Sequence, residues 1–183
     1  PKNMVVGMAG ILDTSRFKYF LSQELKVPVN QIESLVLGGH GDTMVSMLNH
    51  TKVNGKPVSD LIEEGKLKKE SLENIVQRTK NGGAEIVKLL ENGSAFYAPA
   101  AAGVEMAESY LKDSKKQLPC AAYLDGQYNI KDLYAGVPVL IGKGGVEKII
   151  EIKLNVEEKN NFDNSIKSVK DLFNAAKKID PAL

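Results

Sequence analysis

Apolar residues recur every three or four positions along three stretches of this 183-residue chain. That spacing places them on one face of a helix, which can then pack against a protein core. The pattern predicts helices over about 11–26, 69–91 and 157–179, with prolines at positions 28 and 181 just past two of them. A fourth helix, rich in small residues, is expected over 94–108, because Asn92 and Gly93 end the one before it.

Shorter apolar segments lie between these helices and are typical of β-strands. The predicted strands are about 32–38, Pro119–Leu124, Val137–Ile141 and Ile150–Leu154, the last in strict alternation. Turn residues separate them: Asn54-Gly55, Asp125-Gly126 and a glycine-rich turn at 142–145. The pattern indicates one α+β domain over residues 1–183, with long helices packed on an antiparallel sheet.

Two adjacent glycines, Gly82 and Gly83, interrupt the predicted helix over 69–91. Each glycine inside a helix costs about 1 kcal/mol relative to alanine. A close approach by another backbone, or a kink, would explain their presence. We therefore expect one of these two features at this point in the helix.

Composition excludes several classes of partner. The chain is 43% hydrophobic and 26% charged, and its 24 basic residues nearly balance 23 acidic ones. This balance creates no overall field favouring nucleic acid or an anionic membrane. No segment approaches the roughly 18 apolar residues of a membrane span, and the N-terminus does not resemble a signal peptide. The lone Cys120 is expected to be a buried thiol, and a cytoplasmic location is predicted.

Several motifs that carry chemistry do not occur in the sequence. No Gly-x-Gly-x-x-Gly segment follows a strand, and no phosphate loop ends in Gly-Lys-Ser/Thr. The glycines at 142–145 lead into a strand and are expected to form a hairpin turn. His40 and His50 are the only histidines, so no metal site is predicted. The Gly-x-Ser-x-Gly segment of many hydrolases does not occur either.

Candidate chemistry is concentrated in two short segments. Asp13 and Arg16 stand three positions apart on the first predicted helix and share a face. His40 lies between glycines at the end of the strand over 32–38, where the backbone can turn sharply. Taken alone, the Asp–Arg pair could be an ordinary surface ion pair, and His40 a structural histidine.

The amino-acid sequences of four segments resemble those of a known family. Gly-Ile-Leu-Asp-Thr-Ser-Arg-Phe at 10–17 and Gly-Gly-His-Gly-Asp-Thr-Met-Val at 38–45 resemble the lactate/malate dehydrogenase family. The segments at 93–102 and 134–147 are similar to its malate branch. The resemblance runs from Pro1 to about Ala182 and is to the family's C-terminal, substrate-binding domain. We expect the family's N-terminal dinucleotide-binding domain to be absent from this chain.

The resemblance implies a role for each candidate residue. His40 would be the general acid/base, Asp13 its partner, and Arg16 the group that binds the substrate carboxylate. Ala95 would line the substrate pocket, and Pro99 would lie near the nicotinamide. Lactate enzymes tend to carry threonine where Ala95 stands, which favours malate. Ser46 stands where the family usually has proline, and a local effect on the loop is expected.

The activity implied by the resemblance is NAD-dependent interconversion of (S)-malate and oxaloacetate, a step of the tricarboxylic acid cycle. The substrate would be a 2-hydroxy or 2-oxo dicarboxylate, and NAD would bind mainly to the missing domain. The family forms dimers and tetramers, so a homo-oligomer is expected. Two alternatives remain open: the lactate branch of the family, and a non-catalytic oligomerisation or ligand-binding module for the isolated chain.

Overall fold

The computed structural model describes residues 1–181. Within that range the helices are α1 Ala9–Leu25, α2 Val58–Glu63, α3 Lys69–Leu90, α4 Tyr97–Leu111 and α5 Val156–Ile179. The four predicted helices are confirmed as α1, α3, α4 and α5; the short α2 was not predicted. α4 begins at Tyr97 rather than at Ser94, because residues 94–96 are not helical. No helix among the described residues is both long and apolar enough to cross a membrane.

The strands of the described range form two antiparallel sheets. Their bounds are β1 Ile32–Glu33, β2 Val36–Gly38, β3 Met44–Ser46, β4 Lys52–Val53, β5 Lys56–Pro57, β6 Lys116–Asp125, β7 Lys131–Gly142 and β8 Gly145–Ile149. The larger sheet has the order β3-β2-β7-β6, with β8 paired to β7, and the smaller has the order β1-β4-β5. Long helices packed on an antiparallel sheet confirm the predicted α+β class.

The strand predicted over about 32–38 is divided between the two sheets. β1 pairs with β4, whereas β2 pairs with β3 and β7. Two hydrogen bonds that involve side chains lie at and just after the break. Ser34 Oγ lies 2.9 Å from Thr51 Oγ1, and the Val36 amide donates to Thr14 Oγ1 at 3.0 Å. The apolar pattern therefore located the buried segment but not the break within it.

The strand predicted at Ile150–Leu154 is wrong. β8 ends at Ile149, and residues 150–155 are not part of a strand, although the Ile150 amide still donates to the Pro138 carbonyl of β7 at 2.8 Å. Instead, the Tyr128 hydroxyl donates to the Ile150 carbonyl at 2.8 Å and accepts from the Ile152 amide at 3.0 Å. Ile152 and Leu154 pack against the core. The alternation thus reports which side chains face the core, while a tyrosine replaces the neighbouring strand.

Helix α1 contributes to both hydrophobic cores of the molecule. Ile11 and Leu12 belong to the core between the larger sheet, α1 and α5. Phe17 and Leu21, one to three turns later, belong to the core formed with α2, α3 and the smaller sheet. Asp13 follows Leu12 directly and is therefore fixed by packing on both sides. The helix that carries two candidate residues is therefore held by both cores.

Cys120 is buried in β6, as predicted. Burial in an apolar environment disfavours the thiolate and raises the pKa of Cys120 to about 12. The thiol therefore stays protonated at neutral pH. A protonated, buried thiol is a packing group rather than a nucleophile.

Helix α3 continues through Gly82 and Gly83, and a neighbouring side chain explains why glycine stands at position 82. A Cβ added at Gly82 would lie 3.0 Å from Arg16 Cδ and 3.3 Å from Arg16 Nε. The expectation of a neighbouring backbone is therefore wrong, because the nearest atoms belong to the Arg16 side chain; the alternative of a kink stays a prediction. The helix gives up helical propensity at Gly82, and the space that a methyl group would occupy is next to the Arg16 side chain.

Alanine substitutions separate the two glycines. At Gly83 an added Cβ would lie 3.7 Å from Arg16 Nη1, an ordinary contact. Gly83→Ala should therefore raise the free energy of unfolding by about 1 kcal/mol, the difference in helix propensity. Gly82→Ala should gain clearly less, because its methyl group must displace Arg16. Denaturant unfolding measures both; equal gains at the two positions would show that Arg16 does not need this space.

Candidate active site

Asp13 and Arg16 project from the same face of α1, as their spacing predicts. The Asp13 side chain is 1% exposed and that of Arg16 is 10% exposed. Arg16 Nη1 lies 4.0 Å from Asp13 Oδ1, so the two charges attract each other across a short gap. This is not a solvated surface pair, because burial removes most of the water that would screen it. The surface interpretation left open by the sequence is therefore wrong.

His40 is presented by the loop that follows β2. Gly38 ends the strand with φ +85°, and Gly41 follows His40 with φ +65°. Both values lie in the left-handed region that favours glycine. Gly136 on β7 pairs with Gly38, and a Cβ there would lie 2.5 Å from the Gly38 carbonyl oxygen. Glycines on both strands thus let the chain approach closely and turn, which carries His40 towards α1.

The structure brings His40 and Asp13 into direct contact. His40 Nδ1 lies 2.8 Å from Asp13 Oδ2, although the two residues are 27 positions apart. The carboxylate accepts the Nδ1 proton, which leaves Nε2 as the nitrogen that can exchange a proton with a ligand. The hydrogen bond to Asp13 raises the pKa of His40 above its ordinary value, against smaller opposing effects of burial and Arg16. The His40 side chain is 51% exposed, so a ligand can reach it.

Two polar atoms of this cluster are buried without a hydrogen-bond partner among residues 1–181. They are Asp13 Oδ1 and Arg16 Nε. A buried polar atom left unpaired costs about 1–3 kcal/mol, and more when it is charged. A guanidinium prefers a planar anion such as a carboxylate, which it can bind with two parallel hydrogen bonds. The cluster therefore combines a proton-exchanging imidazole with a cation suited to a carboxylate.

Replacing Asp13 by asparagine tests the cause of the His40 shift. The asparagine side chain can still accept the Nδ1 proton but lacks the charge that stabilises the imidazolium. The pKa of His40 should therefore fall below its wild-type value. An NMR pH titration of the two histidine rings measures this. His50 is the internal control, because its Nε2 contacts the Lys153 carbonyl at 2.9 Å rather than Asp13; an unchanged His40 titration would contradict the assignment.

The same contact makes folding stability depend on pH. Because the folded pKa of His40 is raised, the pair stabilises the fold fully below the unfolded pKa of histidine. That contribution is lost as pH rises through the folded pKa of His40. Asp13→Asn should therefore reduce the loss in free energy of unfolding that accompanies a rise in pH through the His40 pKa.

The structure places the other predicted site residues near the start of α4. Ala95 precedes the helix and Pro99 lies in its first turn, and both are half-buried. Their roles towards substrate and nicotinamide stay predictions. Ser46 ends β3 opposite Val36, and its buried hydroxyl has no hydrogen-bond partner within residues 1–181. The structure brings Asp13, Arg16 and His40 together but adds no direct evidence for a role of Ser46.

Two hydroxyl groups that hold the His40 segment were not predicted. Thr14 Oγ1 accepts from the Val36 amide at 3.0 Å, and Ser165 Oγ accepts from the Gly39 amide at 2.8 Å. Thr14 belongs to α1 and Ser165 to α5. The pair Gly38-Gly39 was the available signal, because adjacent glycines indicate a close approach. The sequence does not say which residue makes it.

Similarity to known proteins agrees with this geometry. The sequence pattern described as lactate/malate dehydrogenase, alpha/beta C-terminal domain, matches residues 11–179. A malate dehydrogenase of Pelagibacter ubique (strain HTCC1062) is 65% identical over 183 residues, which are the whole of this chain and 57% of the relative. The chain thus spans little more than half the length of that relative.

Two solved structures extend the comparison. Cryptosporidium parvum malate dehydrogenase superposes with a TM-score of 0.94 at 45% identity, covering 97% of this chain and 57% of that one. Eimeria maxima lactate dehydrogenase, solved with NADH and oxamate, superposes with a TM-score of 0.94 at 42% identity. The match covers 99% of this chain and 56% of that one. The fold and the sequence pattern agree with the motifs around Asp13 and His40. The chain therefore belongs to the lactate/malate dehydrogenase family and has the fold of its C-terminal domain.

Proposed function

We propose that this chain is the substrate-binding part of an NAD-dependent malate dehydrogenase that interconverts (S)-malate and oxaloacetate. The single observation that carries the proposal is the buried Asp13 carboxylate, 2.8 Å from His40 Nδ1 and 4.0 Å from Arg16 Nη1. This arrangement supplies a proton carrier and a carboxylate binder side by side. A 2-hydroxy acid needs both when it is oxidised.

His40 is the general acid/base of the proposed reaction. Its protonated ring gives the Nε2 proton to the carbonyl oxygen of oxaloacetate, and its neutral ring takes the hydroxyl proton of malate. Asp13 keeps the ring in the required tautomer and stabilises the imidazolium. An imidazole that titrates near neutral pH serves both directions.

Arg16 binds the C1 carboxylate in this proposal. Its planar guanidinium forms two parallel hydrogen bonds and so orients the carbon that is oxidised or reduced. A lysine would supply charge without that geometry. The absence of a side chain at Gly82 leaves the space beside Arg16 that an ordered guanidinium needs.

NAD supplies the hydride acceptor or donor when it is bound. Pro99, in the first turn of α4, is proposed to lie near the nicotinamide, and Ala95 is proposed to line the adjoining substrate pocket. No glycine-rich phosphate-binding segment is present in the 183 residues. Most of the NAD surface is therefore assigned to a dinucleotide-binding domain outside this chain.

Malate is favoured over lactate by two observations. Ala95 stands where lactate enzymes tend to carry threonine, and the 65% identical relative is a malate dehydrogenase. The lactate branch stays the second candidate, because the Eimeria maxima enzyme has the same fold at a TM-score of 0.94. The substrate pocket would then take a 2-oxo monocarboxylate.

The proposed partners are the dinucleotide-binding domain and further copies of the same protein. α4 exposes the apolar side chains of Tyr97, Val104 and Leu111 along one side. We assign this side to contacts within a homo-oligomer, a dimer or a tetramer. The cytoplasmic location stays a prediction.

Steady-state kinetics of the full-length protein that contains this chain test the proposal. With NADH, we expect a higher kcat/KM for oxaloacetate than for pyruvate. The isolated 183-residue chain should show no turnover, because it lacks most of the NAD surface. A preference for pyruvate would replace malate by lactate, and inactivity of the full-length protein on both acids would favour the non-catalytic module.

A further inference from the structure

The backbone just before His40 is held by a residue from the far end of the chain. Ser165 on α5 is 3% exposed, and its Oγ accepts a hydrogen bond from the Gly39 amide at 2.8 Å. The two residues are 126 positions apart. The Gly39 amide belongs to the Gly38–Gly39 peptide, one peptide before His40, so this contact holds the backbone that leads to the imidazole.

The glycines of the loop leave the space that the Ser165 hydroxyl occupies. A Cβ added at Gly38 would overlap Ser165 Oγ, and a Cβ added at Gly39 would overlap Thr43 Oγ1. Only glycine at position 38 therefore leaves space for the Ser165 side chain. The φ of Gly38, +85°, also favours glycine. Space and backbone conformation together bring the amide of Gly39 to α5.

The same segment is held at its other end by α1. Thr14, the residue after Asp13 on α1, accepts a hydrogen bond from the Val36 amide through its Oγ1 at 3.0 Å. The strand that leads to His40 is thus bonded to the helix that carries Asp13 and to α5. Because both bonds are to backbone amides, they set the position of the chain rather than the ring itself.

Helix α5 is rigid at this point for reasons unrelated to Ser165. Asn155 and Glu158 cap its N-terminus reciprocally, with the Glu158 amide donating to Asn155 Oδ1 at 2.7 Å. Phe162 and Ile166, on either side of Ser165, are buried in the larger core. Removing one hydroxyl from this helix therefore leaves its capping and packing in place.

We propose that Ser165 is a positioning residue for His40, acting through the Gly39 amide to keep Nδ1 within hydrogen-bond distance of Asp13. Its effect on catalysis rests on the proposed function, since it requires His40 to be the acid/base. Its effect on the His40–Asp13 contact does not. Without the hydroxyl, the Gly39 amide is unpaired and the loop can relax away from α1.

The test compares Ser165→Ala with Ser168→Ala. Ser168 lies on the same helix but is exposed, and its Oγ only donates to the Asn164 carbonyl at 3.2 Å. NMR titration of His40 in the full-length protein should show a lower pKa in Ser165→Ala and an unchanged one in Ser168→Ala. Thermal unfolding of both variants checks that the fold is retained.

Kinetics of the full-length enzyme supply the second measurement. Ser165→Ala should lower kcat for oxaloacetate about tenfold, because a small displacement of the reacting group is costly. KM should change little, since Arg16 lies on α1 and, among residues 1–181, shares no hydrogen bond with Ser165. The Ser168→Ala enzyme should resemble the wild type in both constants.

The two proposals fail in different ways. A Ser165→Ala chain that folds and keeps the wild-type His40 titration overturns the positioning role. A rise in KM that equals the loss in kcat also overturns it, because it would indicate a general disturbance of the site. A lowered His40 pKa in a full-length protein that turns over no 2-oxo acid supports the positioning role and contradicts the proposed function.

Discussion

Replacing His40 by asparagine is expected to lower kcat of the full-length enzyme for oxaloacetate by about 10³-fold, within the range that general acid–base catalysis contributes. Asparagine can still donate to Asp13 but carries no proton that it can release near neutral pH. KM should change little, because the substitution leaves Arg16, the proposed carboxylate binder, unchanged. Steady-state rates of NADH oxidation measure both constants.

The control for this substitution is His50→Asn. His50 lies at the surface end of a short turn, and its Nε2 contacts the Lys153 carbonyl at 2.9 Å. It touches none of the three site residues in any hydrogen bond or ion pair among residues 1–181. His50→Asn should leave kcat near the wild-type value. A His40→Asn enzyme as active as this control would remove His40 from the mechanism.

Replacing Arg16 by lysine is expected to raise KM for oxaloacetate by about 10- to 100-fold. The lysine keeps the positive charge but cannot form two parallel hydrogen bonds to a carboxylate. Losing one charge-assisted hydrogen bond costs about 1.5–3 kcal/mol, which corresponds to that range. The experiment is a substrate titration at saturating NADH. The loss should also appear in kcat, because the carboxylate orients the reacting carbon.

Arg78→Lys is the matched control. Arg78 lies on α3 and forms an exposed ion pair with Glu85, with Nη2 to Oε1 at 2.7 Å. The substitution removes a forked contact of the same kind, but away from the site. KM should stay near the wild-type value. If Arg16→Lys behaves like Arg78→Lys, the carboxylate does not bind at Arg16.

The pattern of apolar positions predicted most of the fold because helix faces and buried strands are local features. It placed α1, α3 and α5 within a few residues and put Asp13 and Arg16 on one face. It misassigned Ile150–Leu154, because alternation reports burial but not whether a neighbouring strand is present. There the Ile150 carbonyl and the Ile152 amide bond to the Tyr128 hydroxyl rather than to a neighbouring strand.

The candidate site was predictable only in part. Nothing in the local sequence brings His40 to Asp13, 27 positions away; the resemblance to a family predicted that contact, and the structure supplies its geometry. Gly82 and Ser165 show what the sequence could not predict. Each acts through a tertiary neighbour, Arg16 or Gly39, whose identity depends on how α3 and α5 pack.

The most direct test of the central claim is the pH dependence of kcat/KM in both directions. In the proposed mechanism oxaloacetate reduction needs protonated His40, so its kcat/KM should fall as pH rises through the pKa that His40 has in the NADH-bound enzyme. In the same mechanism malate oxidation needs the neutral ring, so its kcat/KM should fall as pH drops through the pKa that His40 has in the NAD-bound enzyme. We expect one pKa to govern each profile, and we expect Asp13→Asn to lower both. Profiles that show no such pKa, or that Asp13→Asn leaves unchanged, would contradict the account.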